Sequence, residues 1–198
     1  MSDCERLRAL IEERCLLADV NITLSTGRQS GFYFDCKRAM LDGEGLTLIV
    51  DAIMEEIDQL PERPVAIGGL TLGADFIVAG VIAKAYQTGH PTVYGSIVRK
   101  EPKKHGTRNK IENQLPAGTP IVVIDDVITS GNSIRKACEE FRQASYRIVG
   151  IIALIDRKAG GKESLERDFG PVRALFDKDD FPALRGTDHA DRSSAQAA

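Results

Sequence analysis

The sequence predicts an α/β domain built around a mostly parallel sheet. Three observations carry that reading. Short β-branched or apolar runs alternate with segments of helical periodicity through most of the chain. Residues 148–155 are apolar without interruption, as in a strand covered on both faces. The length of 198 residues suits one domain with a sizeable core.

The elements follow in order. Leu7, Leu10, Ile11 and Leu17 fall near helical spacing, so the chain is expected to open with an amphipathic helix. Asn21–Leu24 and Phe32–Phe34 flank a turn at Thr26-Gly27-Arg28, which predicts a hairpin or small hood of strands. Leu46, Ile49, Val50, Ile53, Met54 and Ile57 recur at three- and four-residue steps, giving a helix with one apolar stripe.

From there the pattern alternates. Val65–Ile67 reads as a short buried strand ending at Gly68-Gly69. Gly73 to Tyr86 is apolar nearly all round, as in a largely buried helix. Thr92–Val98 reads as a strand, and Ile121–Ile124 as another, bounded by Pro120 and Asp125. Ile134, Ala137, Cys138 and Phe141 mark an amphipathic helix. After the run at 148–155 come a weaker helix near Lys162–Asp168 and a last strand at Val172–Phe176. Residues 1–186 are expected to form one domain, a hood of about 1–40 and a core of about 41–186. The small, polar, Ala-rich tail 187–198 is expected to be disordered.

Composition excludes several classes. With 42% hydrophobic and 28% charged residues, the chain has the make-up of an ordinary globular protein. No stretch approaches the ~20 apolar residues of a membrane span, and Met1–Glu5 lacks the pattern of a secretory leader, so a cytoplasmic location is expected. The four cysteines form no CxxC pair and no metal-finger spacing, which favours reduced structural thiols. A net charge of −3 argues against a general nucleic-acid footprint.

The most specific segment is Ile121-Val122-Val123-Ile124-Asp125-Asp126-Val127-Ile128-Thr129-Ser130-Gly131-Asn132-Ser133. A buried strand runs into two adjacent carboxylates, and a hydroxyl-glycine-hydroxyl turn then opens onto a helix. Gly131 allows close backbone approach, and the free N–H groups of the following helix favour an anion. Thr129, Ser130 and Ser133 add hydroxyl donors. Asp125 and Asp126 accept hydrogen bonds only, which suits the 2′- and 3′-hydroxyls of a ribose. Their charge would also stabilise an oxocarbenium-like anomeric carbon. A ligand-free helix cap is the alternative, since Asp, Thr and Ser favour such positions. Competing phosphate motifs fail: GxxxxGK[ST] is absent, and Gly68–Gly73 misses the GxGxxG spacing.

A second segment, Arg99 to Lys110, holds six Lys/Arg residues and His105 against the single acid Glu101. Pro102 and Gly106 argue against helix or ladder-forming strand there. Such a flap could close over a diphosphate and exclude water. A solvated charged loop or a basic localisation patch is the competing reading.

Residues 121–133 closely resemble the phosphoribosyl pyrophosphate (PRPP) motif of type I phosphoribosyltransferases. Arg99, Lys100, Lys103, His105 and Gly106 match the Arg-Lys-x-x-Lys-x-His-Gly loop of the orotate phosphoribosyltransferases. The segment Thr23–Asp35 resembles that family's N-terminal hood. The resemblance spans roughly residues 5–180.

It implies the type I fold, with helices flanking the sheet and a small hood, and transfer of 5-phosphoribosyl from PRPP to orotate. The products would be orotidine 5′-phosphate and pyrophosphate, in de novo pyrimidine biosynthesis. It further implies Lys103 as the main catalytic cation, assisted by Arg99 and His105. Arg99, Lys100, Lys103 and His105 would bind PRPP together with residues 125–133, including Val127, Ile128 and Asn132, and with Thr71 and Leu72. Orotate would meet Thr129, Arg157 and the backbone of Tyr33 and Phe34. Mg²⁺ would be held through PRPP and water, with no direct protein ligand. The family's loop reaches a neighbouring subunit, which implies a homodimer. No nucleic acid or membrane partner is expected.

Read without the resemblance, the Tyr33–Phe34 cluster is more often core than ligand wall. An Arg at the carboxyl edge after 148–156 can grip a carboxylate through two parallel hydrogen bonds, although a structural ion pair is the alternative for Arg157. One branch of the family has lysines where Ser25 and Leu72 stand, so the Leu72 contact is expected through backbone alone. Two rival functions are a phosphoribosyltransferase for another base and a PRPP-sensing regulator without catalysis. The loop pattern and Arg157 oppose the first, and the acidic composition opposes the second.

Overall fold

In the computed structural model the described residues are 2–23, 27, 29–101 and 110–185. The chain begins with α1 (Asp3–Arg14) and a hairpin of β1 (Leu16–Thr23) and β2 (Gln29–Phe34), followed by α2 (Lys37–Met40) and α3 (Gly43–Asp58). Alternation then sets in: β3 (Ala66–Leu70), α4 (Asp75–Thr88), β4 (Tyr94–Val98), β5 (Ile111–Glu112), β6 (Pro120–Ile128) and α5 (Asn132–Gln143). It continues with β7 (Arg147–Asp156), α6 (Gly161–Phe169) and β8 (Val172–Asp177), and two short 3₁₀ turns end the described residues.

Among the described residues the main sheet has the order β5-β4-β3-β6-β7-β8. All its pairings are parallel except that of the short β5 with β4. Successive residues of a strand point to opposite faces, and here both faces are covered. Ile67, Val122, Ile124, Ile152 and Leu154 join one apolar core with Ile49, Ile53 and Ile57 of α3 and Ile77 and Val81 of α4. Ala66, Ile121, Val123, Ile151 and Ala153 join a second core with Ile134, Ala137 and Phe141 of α5 and Leu165 of α6. This two-sided burial explains why residues 148–155 show no polar alternation.

The first core also takes Leu7, Leu10 and Ile11 of α1 and Phe32 and Phe34 of β2. Ser2 and Glu5 cap α1 reciprocally, with Ser2 Oγ accepting from the Glu5 amide and Glu5 accepting from the Ser2 amide. Phe34 packs 4.9 Å from the Phe181 ring, which fastens the hairpin to the end of the described chain. Each large apolar side chain so enclosed contributes roughly 1.5–3 kcal/mol.

Several expectations need correction. Leu17 lies in β1 rather than on the first helix, which ends at the Cys15 cap; its pairing with Tyr33 overrides a coincidental helical spacing. The strand expected at Val65–Ile67 runs on through Gly68 and Gly69 to Leu70, because ladders to β4 on one side and β6 on the other hold Gly68. β6 does not stop before Asp125 but carries both acids, pairing Asp125 with Ala153 and Ile128 with Asp156 of β7. α4 is not buried all round: Ile77, Val78, Val81 and Ala85 face inward while Tyr86 is 83% exposed. α2 and β5, each very short, carry too few residues for a periodic signal.

The thiols of Cys15, Cys36 and Cys138 are free and buried, and Cys4 is exposed. Burial pushes the Cys15 thiol up to about 11 and the Cys138 thiol to about 12, so both stay protonated.

Candidate active site at the switch point of the sheet

The chain runs from β3 outward through β4 to β5, then returns to the other side of β3 and runs outward again through β6, β7 and β8. In parallel sheets ligands bind beyond the carboxyl ends of the strands where the order reverses. That point lies between Leu70 and Asp125, and those predicted site residues that are among the described ones gather around it.

At the end of β6, Asp125 is 6% exposed and Asp126 half-buried. The Asp126 amide donates to Asp125 Oδ1 at 3.1 Å, and the Val127 amide donates to Asp126 Oδ1 at 2.9 Å. Burial raises both carboxyls above their ordinary value, and the charge of Asp126 raises Asp125 further. The positive charges of Lys100 and Lys37 oppose the rise, at Asp125 and Asp126 respectively. Such a pair is best satisfied by a ligand that donates hydrogen bonds, as sugar hydroxyls do.

Thr129 and Ser130 lead into Gly131, whose φ of +76° lets the chain turn sharply into α5. The first turn of α5 has no side-chain cap hydrogen bond. Its leading amides therefore offer an anion site at the positive end of the helix.

On the β3 side, the Thr71 amide donates to Val98 O at 2.8 Å, and Thr71 Oγ1 donates to Asp75 Oδ2 at 2.5 Å. The Thr71–Leu72 peptide bond is cis, and the Leu72 side chain is 49% exposed. The Thr71 hydroxyl is thus committed within its own turn. The turn passes so near the acids that a Cβ on Gly73 would lie 3.0 Å from Asp126 Oδ1 and closer still to Asp125 Oδ1.

Arg99 and Lys100 follow β4. Arg99 Nη1 pairs with Glu112 Oε1 at 2.9 Å, and the Arg99 amide donates to Lys110 O at 2.8 Å. These bonds pin together the two roots of the basic segment beside the site. Lys103 and His105 themselves lie outside the described residues, as do Ser25 and the tail 187–198.

Between the hairpin and the end of β6 lies a cavity of about 370 Å³, lined by Ile22, Thr23, Tyr33, Phe34, Asp126, Val127, Thr129 and Arg157. That size falls within the ~300–1,000 Å³ range of small-molecule sites. All four residues expected to meet the base are on its wall. Arg157 is 4% exposed, and its amide donates to Ile128 O at 2.9 Å. Its Nη2 donates to Ser30 Oγ at 2.7 Å, and its guanidinium lies 4.3 Å from the centre of the Phe32 ring. A guanidinium so held presents a fixed charge to one side of the cavity.

Ile22, Thr23, Ser30 and Lys37 were not singled out from the sequence. The pairing of Ile22 with Ser30 and of Thr23 with Gln29 brings the first two to the chamber, and a register worked out for the hairpin would have found them. Lys37 Nζ pairs with Asp35 Oδ1 at 2.6 Å, a contact that spacing alone does not show.

Comparison with known proteins decides the family. The phosphoribosyl transferase domain model matches residues 38–176. The orotate phosphoribosyltransferase of Sorangium cellulosum is 38% identical over 182 residues, covering 91% of this chain and 93% of its own. The chain belongs to the orotate phosphoribosyltransferases. The family member from Aquifex aeolicus is also 38% identical, over 89% of this chain and 96% of its own. The crystal structure of the Mycobacterium tuberculosis orotate phosphoribosyltransferase in complex with PRPP superposes with a TM-score of 0.73 at 28% identity. It covers 91% of this chain and 99% of that one. The expected type I fold, with a mostly parallel sheet flanked by helices, is borne out, and the chain is a pentosyltransferase.

Proposed function

We propose that this orotate phosphoribosyltransferase binds PRPP across the switch point and orotate in the chamber beneath the hairpin. The observation that carries this reading is the position of Arg157, whose buried guanidinium shares one cavity with Asp126 and Thr129. An acceptor carrying a carboxylate meets a fixed cation there, and the ribose acceptors stand beside it.

The amides of the turn that follows β6, from Thr129 through Ser133, cradle the 5′-phosphate, with Thr129, Ser130 and Ser133 adding hydroxyls and Val127 and Ile128 leading the strand up to it. Asp125 and Asp126 accept from the ribose hydroxyls and favour positive charge at the anomeric carbon. The backbone of the Thr71–Leu72 turn and the cations Arg99, Lys100, Lys103 and His105 hold the diphosphate. As the bond from the anomeric carbon to the diphosphate oxygen breaks, a ring nitrogen of orotate forms the new bond to that carbon and its proton is given up to solvent. Lys103 neutralises the departing charge, assisted by Arg99 and His105. Tyr33 and Phe34 position the ring.

Among the described residues no three His, Cys, Asp or Glu side chains gather as a metal site. We infer that Mg²⁺ is bound by diphosphate oxygens and water, the ligands that hard, octahedral ion favours. When bound, Mg²⁺ shares the charge of the leaving diphosphate. We also infer a homodimer whose basic loop reaches the neighbouring site, and a cytoplasmic location. Among the described residues no helix is long and apolar enough to cross a membrane.

Calorimetry with PRPP and Mg²⁺, followed by turnover with orotate, uracil and hypoxanthine as separate acceptors, tests the reading. Association with PRPP and turnover with orotate alone are expected. Absence of PRPP binding overturns the whole assignment, whereas preference for another base overturns the role of Arg157.

A further inference from the structure

We propose that Gly161 is a positioning residue for the loop that takes the 5′-phosphate, an inference that rests on the phosphate reading above. Gly161 is the buried first residue of α6. A Cβ built on it would lie 2.8 Å from Gly131 N and 2.8 Å from Ser130 C, and would press on Thr129 O. All three atoms are backbone of the phosphate loop, so no flexible side chain can yield.

The contact is directional. Thr129 O and the Ser130 N–H belong to one planar peptide unit, so moving the carbonyl swings an amide that faces the phosphate. A methyl group against Gly131 N would also cover that N–H. One turn further along α6, Leu165 Cδ1 would be 2.9 Å from a Cβ on Gly131. α6 is held to α5 by Arg135, which pairs with Asp168 Oδ2 at 2.6 Å and donates to Ser164 Oγ at 2.9 Å. The loop is therefore clamped between the start of α5, which supplies amides, and the start of α6, which sets their direction.

The turn from β7 into α6 extends this clamp to the chamber. Arg157, whose amide bonds Ile128 O, lies four positions before Gly161. Thr129, whose carbonyl abuts Gly161, lines the chamber as well. One short turn thereby touches the phosphate loop at one end and the base wall at the other.

The neighbouring Gly160 supplies the control. Its φ is +85° and nothing lies within 4 Å of a Cβ there, so Gly160→Ala strains the backbone without touching the loop. Gly161→Ala should raise the PRPP KM and calorimetric Kd on the order of 10–100-fold, with kcat at saturating PRPP changed little. Gly160→Ala should lower the melting temperature while keeping the wild-type PRPP KM. Should Gly161→Ala not fold, Leu165→Ala loosens the neighbouring packing of α6 against Gly131 of the same loop and should raise the PRPP KM several-fold. A folded Gly161→Ala or Leu165→Ala protein with unchanged PRPP KM overturns the proposal, as does an equal rise in Gly160→Ala. Loss of PRPP binding by the wild-type chain would instead overturn the phosphate reading itself.

Discussion

Arg157 Nη2 donates to Ser30 Oγ at 2.7 Å, joining residues 127 positions apart. Ser30 Oγ in turn donates to Phe32 O at 2.9 Å and accepts from the Phe32 amide at 3.3 Å. The guanidinium on the chamber wall is therefore aimed by the same strand that roofs the chamber. On the proposed reading, the hairpin is thereby part of the acceptor site rather than a cover alone.

That relationship predicts a split in kinetics. Ser30→Ala removes a buried partner of a charged group, an effect on the order of 1–3 kcal/mol. The orotate KM should rise roughly 5–150-fold while the PRPP KM stays near wild type. Arg157→Lys should be at least as damaging, because a point charge does not reproduce the planar fork. Steady-state kinetics with each substrate varied in turn checks both; equal shifts for the two substrates would count against the assignment.

Asp125 carries a second prediction, through pH. Burial, then the charge of Asp126, holds its folded pKa well above the ordinary 3.8. The folded state thus binds protons more tightly than the unfolded state. The stability this confers is fully present below 3.8 and is lost as pH rises through the elevated folded value. As pH rises, charging this buried carboxyl costs the ligand-free protein stability. Asp125→Asn should raise its melting temperature by roughly a few degrees, yet lower kcat/KM by about 10²-fold or more. Melting curves across pH should show the gap between variant and wild type widening as pH increases. A gap independent of pH would exclude this cause.

Lys103→Ala should fold normally and lose turnover by roughly 10²–10³-fold, the scale of removing one group that stabilises transition-state charge. Circular dichroism and single-turnover rates together check this. Turnover within a few-fold of wild type would remove Lys103 from the mechanism.

Gly131→Ala meets two obstacles at once. Its φ is +76°, and a Cβ would lie 2.9 Å from Leu165 Cδ1. A loss of about 1 kcal/mol or more is expected in denaturant unfolding, together with weakened PRPP binding by calorimetry. Wild-type values for both would contradict the tight turn into α5.

Local sequence order made much of the site legible. The run from Ile121 to Ser133 places a strand, two acids, a glycine turn and a helix start in register because each follows from neighbours in the chain. Arg157 was legible for the same reason, since it directly follows an unmistakable buried strand. Ile22, Thr23 and Ser30 were not, because their role depends on how a hairpin with an irregular register meets β6 and β7. The extension of β6 through Asp125 and Asp126 was hidden too. Carboxylates read as strand breakers, and the ladder to β7 overrode that preference.

The sequence by itself determined the alternation of strands and helices, the glycine turn after the paired acids and the basic segment. All of these are written in periodicity and in residues a few positions apart. Tertiary structure alone decided that α6 abuts the turn at Thr129–Gly131 through Gly161, that Ser30 aims Arg157, and that the charge of Lys37 is felt at Asp126. Each joins groups distant along the chain or turned together by folding, and such contacts arise from packing and burial, which leave no mark in local spacing.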